Sequence, residues 1–278
     1  MRAITATFTS ICAAFLFMAG ATHAQEAEHH EMAPESTQSE REHVPPDPPT
    51  QEVRDMPYKP MAKMMAMDDT ASVGKVLLDQ LDWRDGGGSS ALAWDAEAWY
   101  GTDYNKLWLK TEGERSGGTT QDARIEAFWD YTIARWWNLQ TGVRHDLGEG
   151  PSRDWAAVGV EGLAPYFFQI EATAYVGDAG RTAARFKADY ELLFSQRLIL
   201  QPEIELNAYG KSDPEKRIGS GISDLQLALR LRYEIRREVA PYIGVAWVKQ
   251  FGNTADLVRA SGEDTSDLQA LAGIRIWF

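Results

Sequence analysis

Leu198-Ile199-Leu200-Gln201-Pro202-Glu203-Ile204-Glu205-Leu206-Asn207-Ala208-Tyr209 reads as two interleaved series. Leu198, Leu200, Pro202, Ile204, Leu206 and Ala208 make one; Gln201, Glu203, Glu205, Asn207 and Tyr209 make the other. Successive side chains of a β-strand point to opposite faces, so this stretch predicts a strand with one apolar and one charged face. The pattern recurs on either side. Ser223–Glu234 sets Leu225, Leu227, Leu229, Leu231 and Tyr233 against Gln226, Arg230, Arg232 and Glu234. Phe186–Phe194 sets Phe186, Ala188, Tyr190, Leu192 and Phe194 against Lys187, Asp189 and Glu191, and Arg124–Tyr131 sets Ile125, Ala127, Trp129 and Tyr131 against Arg124, Glu126 and Asp130. Soluble sandwiches alternate too, with the apolar face inward. Here the segments run to about ten residues or more, the second face is densely charged and aromatic residues mark segment ends, which fits tilted strands crossing an outer membrane.

The breaks between segments give the strand count. Longer connections are expected around 85–91, 115–121, 147–152, 178–181, 211–220 and 252–264, and shorter ones near 102–103, 133–135, 164–165, 196–197 and 236–238. Six of one kind and five of the other imply a transmembrane antiparallel β-barrel of twelve strands, all-β, with both termini on the short-turn side. The last strand, Asp267–Phe278, places Leu268, Ala270, Ala272, Ile274, Ile276 and Phe278 on one face and ends on an aromatic residue. Alternation is least regular in the first strand, about 75–84, and near Pro241–Phe251.

Upstream of residue 68 the composition changes. Arg2, the apolar run Ile11–Ala21 and the small-residue site Ala21-Thr22-His23-Ala24 predict a signal peptide over residues 1–24. Residues 25–67 hold seven of the twelve prolines and a single aromatic residue, Tyr58, and are expected to form a disordered acidic arm; residues 68–278 hold all ten tryptophans and form the barrel domain. The lone cysteine, Cys12, falls inside the signal, so the mature chain is expected to carry no thiol chemistry. The net charge of −13 makes nucleic acid an unsuitable partner and could attract cations.

The inferred lumen face mixes carboxylates (Glu97, Glu112, Glu126, Asp130, Glu171, Glu191, Glu203, Glu205) with bases (Lys106, Lys110, Arg124, Arg144, Arg185, Lys187, Arg230, Arg232, Arg275). Mutual neutralisation accounts for most of them, and a polar pathway for a cation is compatible with it. No enzyme is expected. The barrel's one histidine, His145, adjoins Asp146, but neighbours in a strand face opposite ways and cannot form a dyad by adjacency.

The arm carries the candidate metal ligands. All six methionines outside the signal (Met32, Met56, Met61, Met64, Met65 and Met67) lie in it, with His29, His30 and His43. Thioethers suit Cu(I) and imidazole also suits Cu(II), whereas hard cations want oxygen ligands. The competing reading of a methionine is apolar filler, with Pro60–Met67 a short anchor packed on the barrel; four thioethers within Met61–Met67 favour copper. His29-His30 beside Glu28 and Glu31 would also suit zinc.

With these parts in place the chain resembles the copper resistance protein B family of outer-membrane proteins. The resemblance lies in Lys75-Val76-Leu77-Leu78-Asp79-Gln80-Leu81-Asp82-Trp83, in Ala93-Trp94-Asp95-Ala96-Glu97-Ala98-Trp99 and in Asn105-Lys106-Leu107-Trp108-Leu109-Lys110-Thr111-Glu112-Gly113-Glu114. It continues through Ala240-Pro241-Tyr242 to Gly273-Ile274-Arg275-Ile276-Trp277-Phe278. It implies copper tolerance, with copper sequestered or moved at the cell outer membrane. The expected partners are copper ions, outer-membrane lipid and a periplasmic copper protein, with the arm in the periplasm. A general small-solute channel with an incidental Met-rich arm is the alternative.

Overall fold

The computed structural model describes residues 71–278 apart from Gly88. The signal peptide and the arm at residues 25–67 lie outside the described residues. The strands are β1 (Val73–Gly86), β2 (Ser89–Gly101), β3 (Asn105–Ser116), β4 (Thr119–Ala134), β5 (Trp137–Gly148), β6 (Arg153–Leu163), β7 (Gln169–Gly177), β8 (Arg181–Asp189), β9 (Leu192–Leu193), β10 (Leu198–Tyr209), β11 (Gly221–Tyr233), β12 (Val239–Gln250) and β13 (Ser266–Trp277). Each is antiparallel to its neighbours, and β1 pairs with β13, Leu77 opposite Trp277, so the sheet closes on itself. Closure leaves no unpaired edge to meet hydrocarbon. β8 and β9 are two pieces of one stave along β10, Asp189 opposite Glu203 and Leu193 opposite Ile199, so the ring has twelve staves. At the interruption the Tyr190 amide donates to the Pro202 carbonyl at 3.1 Å and its ring packs 4.8 Å from Phe168.

The face assignments hold. Ile125, Trp129, Leu227, Leu229 and Ile204 point outward and are exposed, while Glu126, Asp130, Arg230, Arg232, Glu203 and Glu205 are buried in the lumen. Every charged residue inferred to face inward does so. Exposed aromatics, among them Tyr100, Tyr104, Trp136, Tyr166, Phe194 and Phe278, ring the end of the barrel where β1 begins and β13 ends, as an interfacial girdle does.

The expected connections need correction. The connections expected to be long near 85–91 and 115–121 are tight: β1 ends at Gly86 and β2 starts at Ser89, and Gly117-Gly118 alone joins β3 to β4. Both of those glycines take positive φ (59° and 86°), the two-residue hairpin geometry that matches strand twist. The connections 147–152 and 178–181 are likewise short, with four residues between Gly148 and Arg153 and a single 3-10 turn at Asp178–Gly180. Only the segments after β10 and β12 are long, and the second is not plain loop: Gly252–Ala260 forms a helix, α1, burying Thr254, Ala255 and Val258. Finally, β1 is irregular because Asp79 has no partner on β2, where Leu78 pairs with Ala96 and Gln80 with Asp95. This bulge sends Asp79 and Gln80 both into the lumen, which is what blurred the alternation. β12 looked irregular for another reason: its inward residues Ala240, Tyr242, Gly244 and Ala246 are themselves small or aromatic.

Candidate cation-binding vestibule

At the terminus end of the barrel the lumen widens into a cavity of about 410 Å³. Eight carboxylates line it, Asp79, Asp95, Glu97, Glu161, Glu171, Asp189, Glu191 and Glu203; Lys75, Lys187 and Arg275 line it too, and Lys110, Arg230 and Arg232 pair with four of the carboxylates from beside it. Period-two strands from both sides of the ring deliver them, and the β1 bulge adds Asp79, which pairs with Arg275 at 2.7 Å. Two ammonium groups sit between carboxylates of different staves. Lys110 Nζ lies 3.0 Å from Glu161 and 2.9 Å from Glu171, and Lys187 Nζ lies 2.9 Å from Asp95 and 3.7 Å from Glu203. Trp99 and Trp108, ring centroids 6.2 Å apart, form the apolar wall, with Lys110 over the Trp108 ring. Oxygen donors in excess of bases, in a cleft with low-dielectric walls, concentrate cations.

Deeper in, the lumen is filled. Glu112 accepts from Arg124 at 2.6 Å and Arg185 at 2.7 Å, and Arg185 donates twice to Glu205, at 2.9 and 2.8 Å. Tyr175 donates to Glu126 at 2.8 Å, and Arg144 stacks on the Tyr175 ring. Phe128 lies over Gly142, where a Cβ would stand 2.8 Å from its ring, and is fully buried. Gln80 of β1 and Arg230 of β11 both tie to Glu203 of β10, the strand beside β11, at 3.3 and 3.2 Å.

The opposite mouth is covered by the two long segments. In the first, Asp213 accepts from Arg153 at 2.9 Å and meets Arg181 at 3.3 Å. The hydrogen bond from Arg153 holds the Asp213 carboxyl below the usual range against partial desolvation, helped by the charges of Arg153 and Arg181. In the second, Thr254 of α1 bonds the Gly219 amide at 2.9 Å and the Ser223 hydroxyl at 3.1 Å. Arg217 links the pieces through Glu149 and Glu263.

His145 and Asp146 do face opposite ways. Asp146 is buried in the lumen on Arg144 and Trp155, while His145 points outward. His145 is not solitary, however: Nδ1 lies 2.6 Å from Asp154, the cross-strand neighbour on β6. The pair is on the outer wall, away from the vestibule. The arm candidates Met32, Met56, Met61, Met64, Met65, Met67, His29, His30 and His43 all lie outside the described residues. Sequence reading missed Asp79, Asp95 and Glu161 as lumen groups, and set Asp189 on the charged face without counting it among the lumen carboxylates. Asp95, Glu161 and Asp189 follow the period-two rule on their strands; Asp79 does not, because of the bulge.

Among solved structures the chain is similar to NanC porin, at TM-score 0.50 and 13% identity over 73% of this chain and 99% of that one. KdgM porin is similar at TM-score 0.46 and 11% identity, over 72% and 99%. At such identity the likeness to NanC porin concerns the fold alone: a closed outer-membrane barrel. In sequence the chain is 45% identical to a copper resistance protein B homolog of Pseudomonas syringae pv. tomato, over 76% of this chain and 71% of that protein. It is also 45% identical to copper resistance protein B of Escherichia coli, over 77% and 72%. Residues 72–278, the whole barrel, match the family described as copper resistance protein B precursor (CopB), and the chain belongs to that family.

Proposed function

We propose that this chain binds copper at the outer membrane and holds it there as part of copper resistance, the role that comes with its family. The observation that carries the reading is the vestibule, where eight carboxylates outnumber the six bases in or against its wall, at the end of the barrel where β1 begins. A mobile metal ion is attracted to that end electrostatically, and the thioethers and imidazoles of the arm supply the soft ligands that hold it. Met61, Met64, Met65 and Met67 are the Cu(I) ligands in this reading, with Met32, Met56, His29, His30 and His43 as further donors, the histidines also serving Cu(II). The arm then lies in the periplasm, where a periplasmic copper protein could exchange the ion, and the long segments after β10 and β12 face outward. A general small-solute channel fits less well, because buried ion pairs occupy the lumen beyond the vestibule.

The test is copper titration of the refolded chain against a competing chelator, with residues 25–67 present and deleted. A further variant replaces Met61, Met64, Met65 and Met67 by leucine. Such swaps keep apolar bulk and are near neutral for packing, within about 1.5 kcal/mol. Cu(I) affinity and survival on copper should fall while barrel assembly and heat resistance stay unchanged. Unchanged affinity and survival would remove the arm from the function. Placement is checked separately: an epitope tag between Ala164 and Pro165 should be unreadable on living cells, and a readable tag would invert the assignment of ends.

A further inference from the structure

We infer that the barrel is closed at its middle by an ion-paired belt of Glu112, Arg124, Arg185 and Glu205, and that the loops over the far mouth are not the barrier. Glu112 is on β3 and Arg185 on β8, five places apart in a ring of twelve staves, close to a diameter. Their side chains meet at 2.7 Å in the centre. Arg124 on β4 and Glu205 on β10 are again five staves apart and approach to 3.6 Å. Two near-diametric bridges that share their charges leave no straight path between them. Arg185 and Glu205 are 6% and 7% exposed and the Arg124 side chain 11%, so the network is covered on three of its members, while Glu112, at 32%, is the one that water reaches.

The far-mouth contacts are more open, apart from the pairs of Asp213 with Arg153 and Arg181. Arg217, Glu149 and Glu263 are about half exposed, and an ion pair in that setting is screened and contributes little. A buried network is harder to open, because parting one member strands a charge in low dielectric. An ion entering from the vestibule therefore stops at the belt, and the vestibule is a blind chamber. This holds whatever ion the protein binds, so the inference stands apart from the copper reading.

The experiment is planar-bilayer conductance in KCl on four proteins: wild type, a loop variant with residues 211–219 replaced by a short Gly/Ser linker, a belt variant with Glu112, Arg124, Arg185 and Glu205 all changed to alanine, and the combination. The belt change removes two acids and two bases, so net charge is kept. Folding is checked by heat-modifiable gel migration. If the belt variant does not give the folded band, the charge-balanced pair E112A with R185A replaces it. Wild type and loop variant should pass little current, and the combined protein at least about tenfold more, since a polar lumen freed of its bridges conducts. A loop variant that already conducts as well as the combination would overturn the inference. So would a folded combination that stays silent, because the barrier would then lie elsewhere.

Discussion

The two faces of one barrel wall follow opposite rules. Outward, Ile125, Leu227, Leu229 and Ile243 are exposed on the barrel wall, and any apolar residue of fitting shape serves there. Inward, most charges have a named partner on another stave, often across the lumen: Lys110 with Glu161 and Glu171, Arg185 with Glu112, Lys187 with Asp95. The outer face is fixed by composition and the inner face by geometry. A change outside should matter by its polarity alone, whereas a change inside should matter by which partner it strands.

The largest effect should come from stranding. Glu203 lies within 3.7 Å of both Lys187 and Arg230 and its side chain is 2% exposed. Glu203→Leu leaves Arg230 with only neutral Gln80, so it should destabilise the barrel by roughly 3–5 kcal/mol. Glu203→Leu together with Arg230→Leu should be much milder, because the unpaired charge goes too. Urea unfolding from liposomes measures both. A double variant as unstable as the single one would mean that volume, not pairing, governs the inner face.

Next in size is a charge placed in lipid. Leu229 faces out near the middle of β11, and Gln226 faces in. Leu229→Arg should cost roughly 2–4 kcal/mol and Gln226→Arg much less, since the lumen hydrates or pairs the new charge. Equal costs in the same titration would mean that the two faces do not differ as described.

The same contrast explains what could be read from sequence. Outward residues obey a local rule, period two, and series such as Leu225–Tyr233 and Leu198–Ala208 gave the strands and their faces, while the ring of twelve came from counting the breaks between segments. Local reading failed where one residue breaks the period, as at Asp79, and where chain length misled, as at the Gly117-Gly118 hairpin. α1 escaped notice because its buried residues, Thr254, Ala255 and Val258, are too few to stand out in a nine-residue helix between strands. The belt was legible only in part. That Glu112, Arg124, Arg185 and Glu205 face inward followed from alternation. That they meet does not, since partners five staves apart depend on ring size and stave tilt, which no single strand encodes.

The smallest effect concerns the far mouth, where inward pairing gives way to loop contacts. Asp213 is the one well-covered acid there, its side chain 9% exposed, with Arg153 and Arg181 against it and Glu215 sharing Arg153. Its carboxyl is held below the ordinary value by the Arg153 hydrogen bond. A depressed acid adds stability that is complete above its unfolded pKa, about 3.9, and is lost as pH falls through the lower folded value. The segment should therefore be unaffected from pH 7 to 5 and loosen only below about pH 4. Glu215, largely exposed, should add little to this window. The readout is hydrogen exchange at the Asp213 and Ile218 amides, which bond each other's carbonyls at 2.7 and 3.0 Å. After correction for intrinsic rates, their protection should fall between pH 5 and pH 3, and Asp213→Asn should show the lower protection at both. The barrel amides of β10 and β11 should keep theirs, because the change is confined to the loop. Equal protection at the two pH values, with Asp213→Asn matching wild type, would mean that α1 and the backbone alone hold this segment and that the arginine clamp is incidental.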